Sequence, residues 1–158
     1  IFDSHLNYCS LVYGKLPKYI MEKIRSLQNN ALRLIHFKNR FERASPLFRD
    51  SNILPFQAKL IKNQCIFALD QQRKTVPSVF SDFCQPVSVA HEHETQSSKQ
   101  MKLSFPRTNT VNFGSNAVRT QVAKSWNLII PCLKKDLHEY DRLKFSKEVS
   151  EILLNKFT

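Results

Sequence analysis

Lys18, Arg25, Asn29, Arg33 and His36 recur at steps of seven, four, four and three residues. At about 100° per residue on a helix, they fall along one side. A row of cations at this spacing suits the phosphate backbone of a nucleic acid, which is held by charge rather than by base readout. The plain alternative is a solvated helix face. Asn29 lies within the row, either as a donor to phosphate or as a surface amide. Lys38, Arg40 and Arg43 follow directly and extend the positive surface, with Phe37 and Phe41 set among them. Aromatics interleaved with cations grip single strands by stacking; the same rings otherwise serve as core.

Other chemistry is poorly provided for. His91-Glu92-His93-Glu94 has metal-ligand types, but residue 95 is Thr, which breaks the H-E-x-x-H zinc pattern. The P-C-x-x-C partner of zinc deaminases is missing too, so the segment reads as a polar loop. Ser and His residues form no local nucleophile signature. Two glycines occur, where about 11 would be average for 158 residues. Phosphate-cradling loops need three or more, so a P-loop and a dinucleotide fingerprint are excluded. Hairpin-rich β folds are disfavoured for the same reason. Cys9, Cys65, Cys84 and Cys132 form no C-x-x-C pair and read as reduced thiols, which points to nucleus or cytoplasm.

The formal charge is +11, and residues 1–70 carry 11 of the 24 basic residues against 5 of the 13 acidic ones. That balance implies an anionic partner, nucleic acid before membrane surface. No apolar run approaches the ~20 residues of a spanning helix. Basic Lys144, Lys147 and Lys156 on the last helix alternate with Glu148 and Glu151, a poor face for anionic lipid. Ile1-Phe2-Asp3 has no initiator Met and reads as the middle of a longer chain.

The elements that must position these residues follow from periodicity. Phe2, Leu6, Cys9 and Tyr13 predict a helical face ended by Gly14. Pro17 predicts a helix from Lys18 to about His36, with Ile20, Ile24, Leu27, Ala31, Leu34 and Ile35 as its buried stripe. Ser45-Pro46 predicts a short helix with Ser45 as its N-cap. Leu54-Pro55 opens a helix to about Gln72, apolar at Phe56, Leu60, Ile61, Cys65, Ala68 and Leu69. A brief helix starts at Pro77. Residues 84–110 are aperiodic and predict a loop or linker, long enough to be functional or a boundary. Val111–Arg119 reads as extended. Helices are expected over Gln121–Ile130, with Trp126 as a core anchor, and over 142–157, apolar at Phe145, Val149, Ile152, Leu153 and Phe157. Asn127 is expected to bond locally.

These residues also carry a resemblance. Leu27-Gln28-Asn29-Asn30-Ala31-Leu32-Arg33-Leu34-Ile35 resembles the L-Q-N-x-A-x-R-x-I helix after the palm in non-LTR (LINE, jockey-like) retrotransposon reverse transcriptases. Ser4-His5-Leu6-Asn7-Tyr8 with Val12-Tyr13-Gly14 is similar to S-H-L-x-Y-G-x-x-x-W-G, with Cys9 and Tyr13 in place of Gly and Trp. Pro46-Leu47-Phe48, Ile53-Leu54-Pro55 and Val76-Pro77-Ser78-Val79-Phe80 resemble P-L-F, I-L-P-L and L-P-x-x-F. Arg107-Thr108-Asn109 and Lys124-Ser125-Trp126-Asn127-Leu128-Ile129-Ile130-Pro131 resemble R-T-N and K-L-W-N-S-L-P, with one residue inserted before the proline. Gln96 stands where the family's T-R-S has Arg.

The resemblance spans nearly the whole chain in one order. It implies the thumb and C-terminal region of such a polymerase, with the palm before Ile1. Two-metal nucleotidyl transfer needs clustered carboxylates. The family's F/Y-x-D-D motif and any Asp-Asp pair are absent from this sequence. The chain is therefore expected not to be an enzyme on its own. Its expected role is a non-catalytic holder of template RNA and primer DNA through Lys18, Arg25, Asn29, Arg33, His36, Lys38, Arg40 and Arg43. No cofactor or small-molecule substrate is expected in this chain, and Mg²⁺ only in the parent's palm. The expected partners are RNA, DNA and that palm with its fingers. The rival reading is a truncated or domesticated helical module that binds protein and no nucleic acid.

The expected architecture is mainly α: a thumb-like helical bundle over 1–83, a polar linker over 84–110, and a smaller helical module over 111–158 with a short strand pair at its start.

Overall fold

Proline sets the helix starts in the computed structural model, which describes residues 4, 7–13, 16–90, 96–105, 107–110, 114, 116–134 and 136–157. After a single turn, α1 (Ser10–Tyr13), Pro17 and Pro55 sit immediately before α2 (Lys18–Ile35) and α4 (Phe56–Gln72), and Pro46 lies in the first turn of α3 (Ser45–Asp50). A ring that fixes φ and lacks an N–H costs nothing at these positions. Pro77 likewise precedes a 3₁₀ turn, Ser78–Phe80. The chain continues through α5 (Val87–Ala90), α6 (Gln96–Lys99), α7 (Val118–Ile129) and α8 (Arg142–Phe157). It is a mainly helical protein, with no strand among the described residues.

Four helix ends are managed without glycine, while Gly14, expected to end the first helical face, lies outside the described residues. Phe37, Asn52, Lys74 and Met101 follow α2, α3, α4 and α6 with φ of 53°, 52°, 56° and 51°. In each case the next amide reaches back one turn: Lys38 N to Arg33 O (2.8 Å), Ile53 N to Phe48 O (2.9 Å), Thr75 N to Asp70 O (3.0 Å) and Lys102 N to Ser97 O (3.1 Å). This is the bonding of a left-handed C-cap, usually a glycine position. The strain of a Cβ there is accepted four times.

The main core joins three helices. Ala58, Cys65, Ala68 and Leu69 of α4 meet Val122, Ala123, Trp126 and Ile129 of α7 and Phe145, Val149 and Leu153 of α8, all buried. Residues from the two expected segments 1–83 and 111–158 thus share one cluster. A smaller cluster of Leu32, Ala44, Leu47 and Phe48 ties α2 to α3. Because α4 is packed by α1, α2, α7 and α8, it buries polar as well as apolar positions. The Ser125 hydroxyl donates to Gln64 Oε1 across 2.5 Å, and Gln71 Nε2 donates to the carbonyls of Ser81 and Cys84 at 3.1 and 3.0 Å.

The fold departs from several expectations. The strand pair is absent among the described residues; what exists is one antiparallel bridge between Pro86 and Leu103. Pro86 has no N–H to extend a ladder. Part of the stretch read as extended, 111–113 and 115, lies outside the described residues, and Val118–Arg119 already begins α7. Within residues 84–110, read as a loop or linker, Cys84 and Leu103 are buried in the main core. Asn127 bonds at long range, accepting from Leu103 N at 2.8 Å and donating to Leu103 O at 2.9 Å, while the Trp126 indole donates to Met101 O at 3.0 Å. Finally, Ser45 is the first residue of α3 rather than its cap; Ala44 precedes the helix, with no side-chain cap bond. His91-Glu92-His93-Glu94 and the N-terminal positions Phe2 and Leu6 lie outside the described residues.

Candidate nucleic-acid interface

The orientation of α2 decides which of its residues meet solvent. Gln28 and Leu32 are its buried residues, whereas Leu27, Leu34 and Ile35 of the expected buried stripe are 62%, 76% and 65% exposed. The helix is turned by roughly a quarter turn from the orientation its apolar stripe predicts. The cause is the Gln28 amide. Its Nε2 donates to Leu54 O at 3.0 Å and its Oε1 accepts from Phe56 N at 2.9 Å. Those two backbone groups flank Pro55 at the start of α4, where helix amides lack intrahelical partners. A buried amide satisfying both fixes the face more firmly than a row of apolar side chains with little to pack against.

With Gln28 inward, Lys18 and Arg25 stand exposed on α2, and Asn29, Arg33 and His36 are half-buried. Lys18 and Arg33 are separated by about 22 Å of helix. The same row contains Glu22, which lies 3.9 Å from the Lys18 ammonium. This pair is so exposed that it contributes little.

At the other end the cations build the loop that follows. Arg33 Nε donates to Glu42 O at 2.9 Å and its Nη1 to Asn30 Oδ1 at 3.1 Å. His36 Nε2 lies 2.6 Å from Ser51 Oγ, joining α2 to the end of α3. Lys38 pairs with Glu42 at 3.4 Å, and Asn39 Oδ1 accepts from Phe41 N at 3.4 Å. Arg33 and His36 thus support residues 36–44, while Lys38, Arg40 and Arg43 stand exposed on that loop. Phe37 and Phe41 are 98% and 90% exposed and contribute to neither core cluster.

Two clefts border this surface. One of about 1200 Å³ lies between α2, α4 and α8, with Lys59, Lys62, Lys147 and Arg142 against Asp70 and Glu151. Arg142 is engaged with Asp70 at 3.1 Å. The other, about 480 Å³, is lined by both Lys124 of α7 and Lys18. Lys124 is a cation that periodicity within α2 has no means of locating, since only the fold puts it there.

Among the described residues no group of three or more His, Cys, Asp or Glu is placed to hold a metal ion, and no helix is long and apolar enough to cross a membrane. All four cysteines are free thiols. Burial raises the Cys65 thiol far above its ordinary range, and pushes Cys84 up to about 11 against the opposing pull of the Arg119 guanidinium. Both are therefore protonated, poor nucleophiles at neutral pH. No family model, curated protein or solved structure matches the chain.

Proposed function

We propose that the chain is a non-catalytic holder of nucleic acid, the thumb-like part of a retrotransposon RNA-directed DNA polymerase, which grips template RNA and primer by their phosphates. The observation that carries this reading is the set of exposed cations, Lys18 and Arg25 on α2 and Lys38, Arg40 and Arg43 on the loop that follows it. The net charge of +11 and the ordered motif resemblance support it. Backbone gripping needs cations at fixed spacing on a stiff element; an 18-residue helix supplies that.

Arg25 and Arg43 are the residues to reverse, because Arg33 and His36 also support the loop. Arg25→Glu with Arg43→Glu is expected to weaken binding to a short duplex about 30-fold at 0.15 M salt, if each cation serves one phosphate. Both positions are exposed, so thermal stability should stay within about 0.5 kcal/mol of the parent chain. Unchanged affinity in an intact variant would reject this face as the grip.

The exposure of Leu27 and Leu34 favours a second reading, in which the outer side of α2 docks on protein, either the palm of the parent or another partner. Sedimentation that depends on concentration, with no affinity for RNA or DNA, would select it.

A further inference from the structure

We infer that the loop 36–44 is a base-stacking platform for unpaired nucleotides, with Phe37 and Phe41 as its stacking rings. The inference rests on the nucleic-acid reading above and adds what that surface distinguishes: single strand from duplex.

Three observations carry it. Phe37 and Phe41 are the two most exposed large apolar side chains recorded, at 98% and 90%. An exposed ring on a mobile tail would mean little, but this loop is fixed at both ends: Arg33 and Glu42 bond across it, His36 reaches Ser51, and Asn39 folds the chain back on Phe41 and Glu42. Second, Phe37 occupies a left-handed C-cap with φ of 53°. Glycine would be more stable there, and the ring makes no core contact in return. Asn52, Lys74 and Met101 accept the same backbone, and Phe37 differs from them in placing a large apolar ring there 98% exposed. Third, Lys38, Arg40 and Arg43 surround the rings in the sequence and are exposed with them. Cations beside exposed aromatics match a strand that offers phosphates and π-faces together. An apolar protein partner would be matched by the rings alone, with three charges left to desolvate.

Duplex bases are already stacked on one another, so phosphate contacts serve both forms while the rings serve only unpaired bases. The wild-type chain is therefore expected to bind a 20-nucleotide single strand and a 20-base-pair duplex, with the rings adding to the first alone. The double variant Phe37→Gly, Phe41→Ala should lose about tenfold or more of the single-strand affinity, since stacking on each ring contributes that order. Duplex affinity and its salt dependence should not change. A 2-aminopurine in the single strand should change fluorescence on binding wild type and not on binding the variant. Phe37→Gly relieves strain, so this variant is expected to fold at least as well as the parent, and Phe37→Tyr should keep the single-strand preference.

Equal single-strand affinity in wild type and double variant would overturn the platform while leaving the phosphate grip intact. Failure of the wild type to bind either form would overturn both. Loss of self-association in the double variant, with single-strand affinity retained, would assign the rings to a protein contact and overturn the platform too.

Discussion

Trp126→Ala is expected to lower stability by about 3–5 kcal/mol, the cost of removing a fully enclosed large aromatic. Trp126 is 1% exposed and sits where α4, α7 and α8 share their core. Its ring centroid is 6.0 Å from that of Phe145, tilted by 31°, and Phe145 in turn meets Tyr140 edge to face at 5.9 Å. Truncation opens a cavity that three rigid helices cannot close. It also frees the Met101 carbonyl, which the indole N–H holds at 3.0 Å. Against a usual domain stability of about 5–15 kcal/mol this is a large fraction. The melting temperature should fall by about 10 °C or more for a chain of this size. Trp126→Phe keeps most of the volume and loses the donor, so it should cost clearly less. Equal losses for the two would mean that the hydrogen bond rather than the packing dominates at this position. Urea midpoints of both variants decide it.

Gln28→Leu is expected to cost about 2–4 kcal/mol, although it replaces a polar residue by an apolar one on a helix. Leu54 O and Phe56 N both lose the Gln28 amide, and the loss of a hydrogen bond to a buried polar group costs about 1–3 kcal/mol. The same substitution completes an apolar helix face, so a reading from periodicity alone predicts stabilisation. The two accounts thus differ in sign, and one chemical denaturation curve separates them. A functional consequence follows, because Gln28 sets how α2 is turned. Gln28→Leu keeps every cation of the proposed grip and should still weaken duplex binding. If stability falls while affinity holds, the orientation of α2 does not matter to the grip.

The sequence showed where helices begin better than where they point. Pro17, Pro46, Pro55 and Pro77 mark starts that the structure reproduces, because the constraint of the ring is local to its own backbone. The step of four through Phe145, Val149 and Leu153 gave the buried face of α8, since a helix packed on one side has one apolar side. Trp126 was legible as a core anchor for the same reason. The contact face of α2 was not legible. Its deciding bonds run from Gln28 to residues 26 and 28 positions away. No window of one helix contains that information. Residues 84–104 were opaque on similar grounds, for Asn127 and Trp126 hold Met101 and Leu103 from 24 and 25 residues off. The cations of the candidate site were visible as a row, yet their division into exposed residues and loop supports was not. Arg33 and His36 support the loop, and only the folded geometry separates them from Arg25 and Arg43. Phe37 and Phe41 were open between stacking and core, and both are exposed and belong to neither core cluster.

In the proposed function this surface holds nucleic acid by its phosphates. The most direct measurement is the affinity of the chain for a short duplex, by filter binding, across 50 to 200 mM salt. Five exposed cations, Lys18, Arg25, Lys38, Arg40 and Arg43, predict a slope of about −4.5 in log K against log salt, and an affinity loss of about 500-fold over that range. A flat line, or no retention at the lowest salt, would contradict the account.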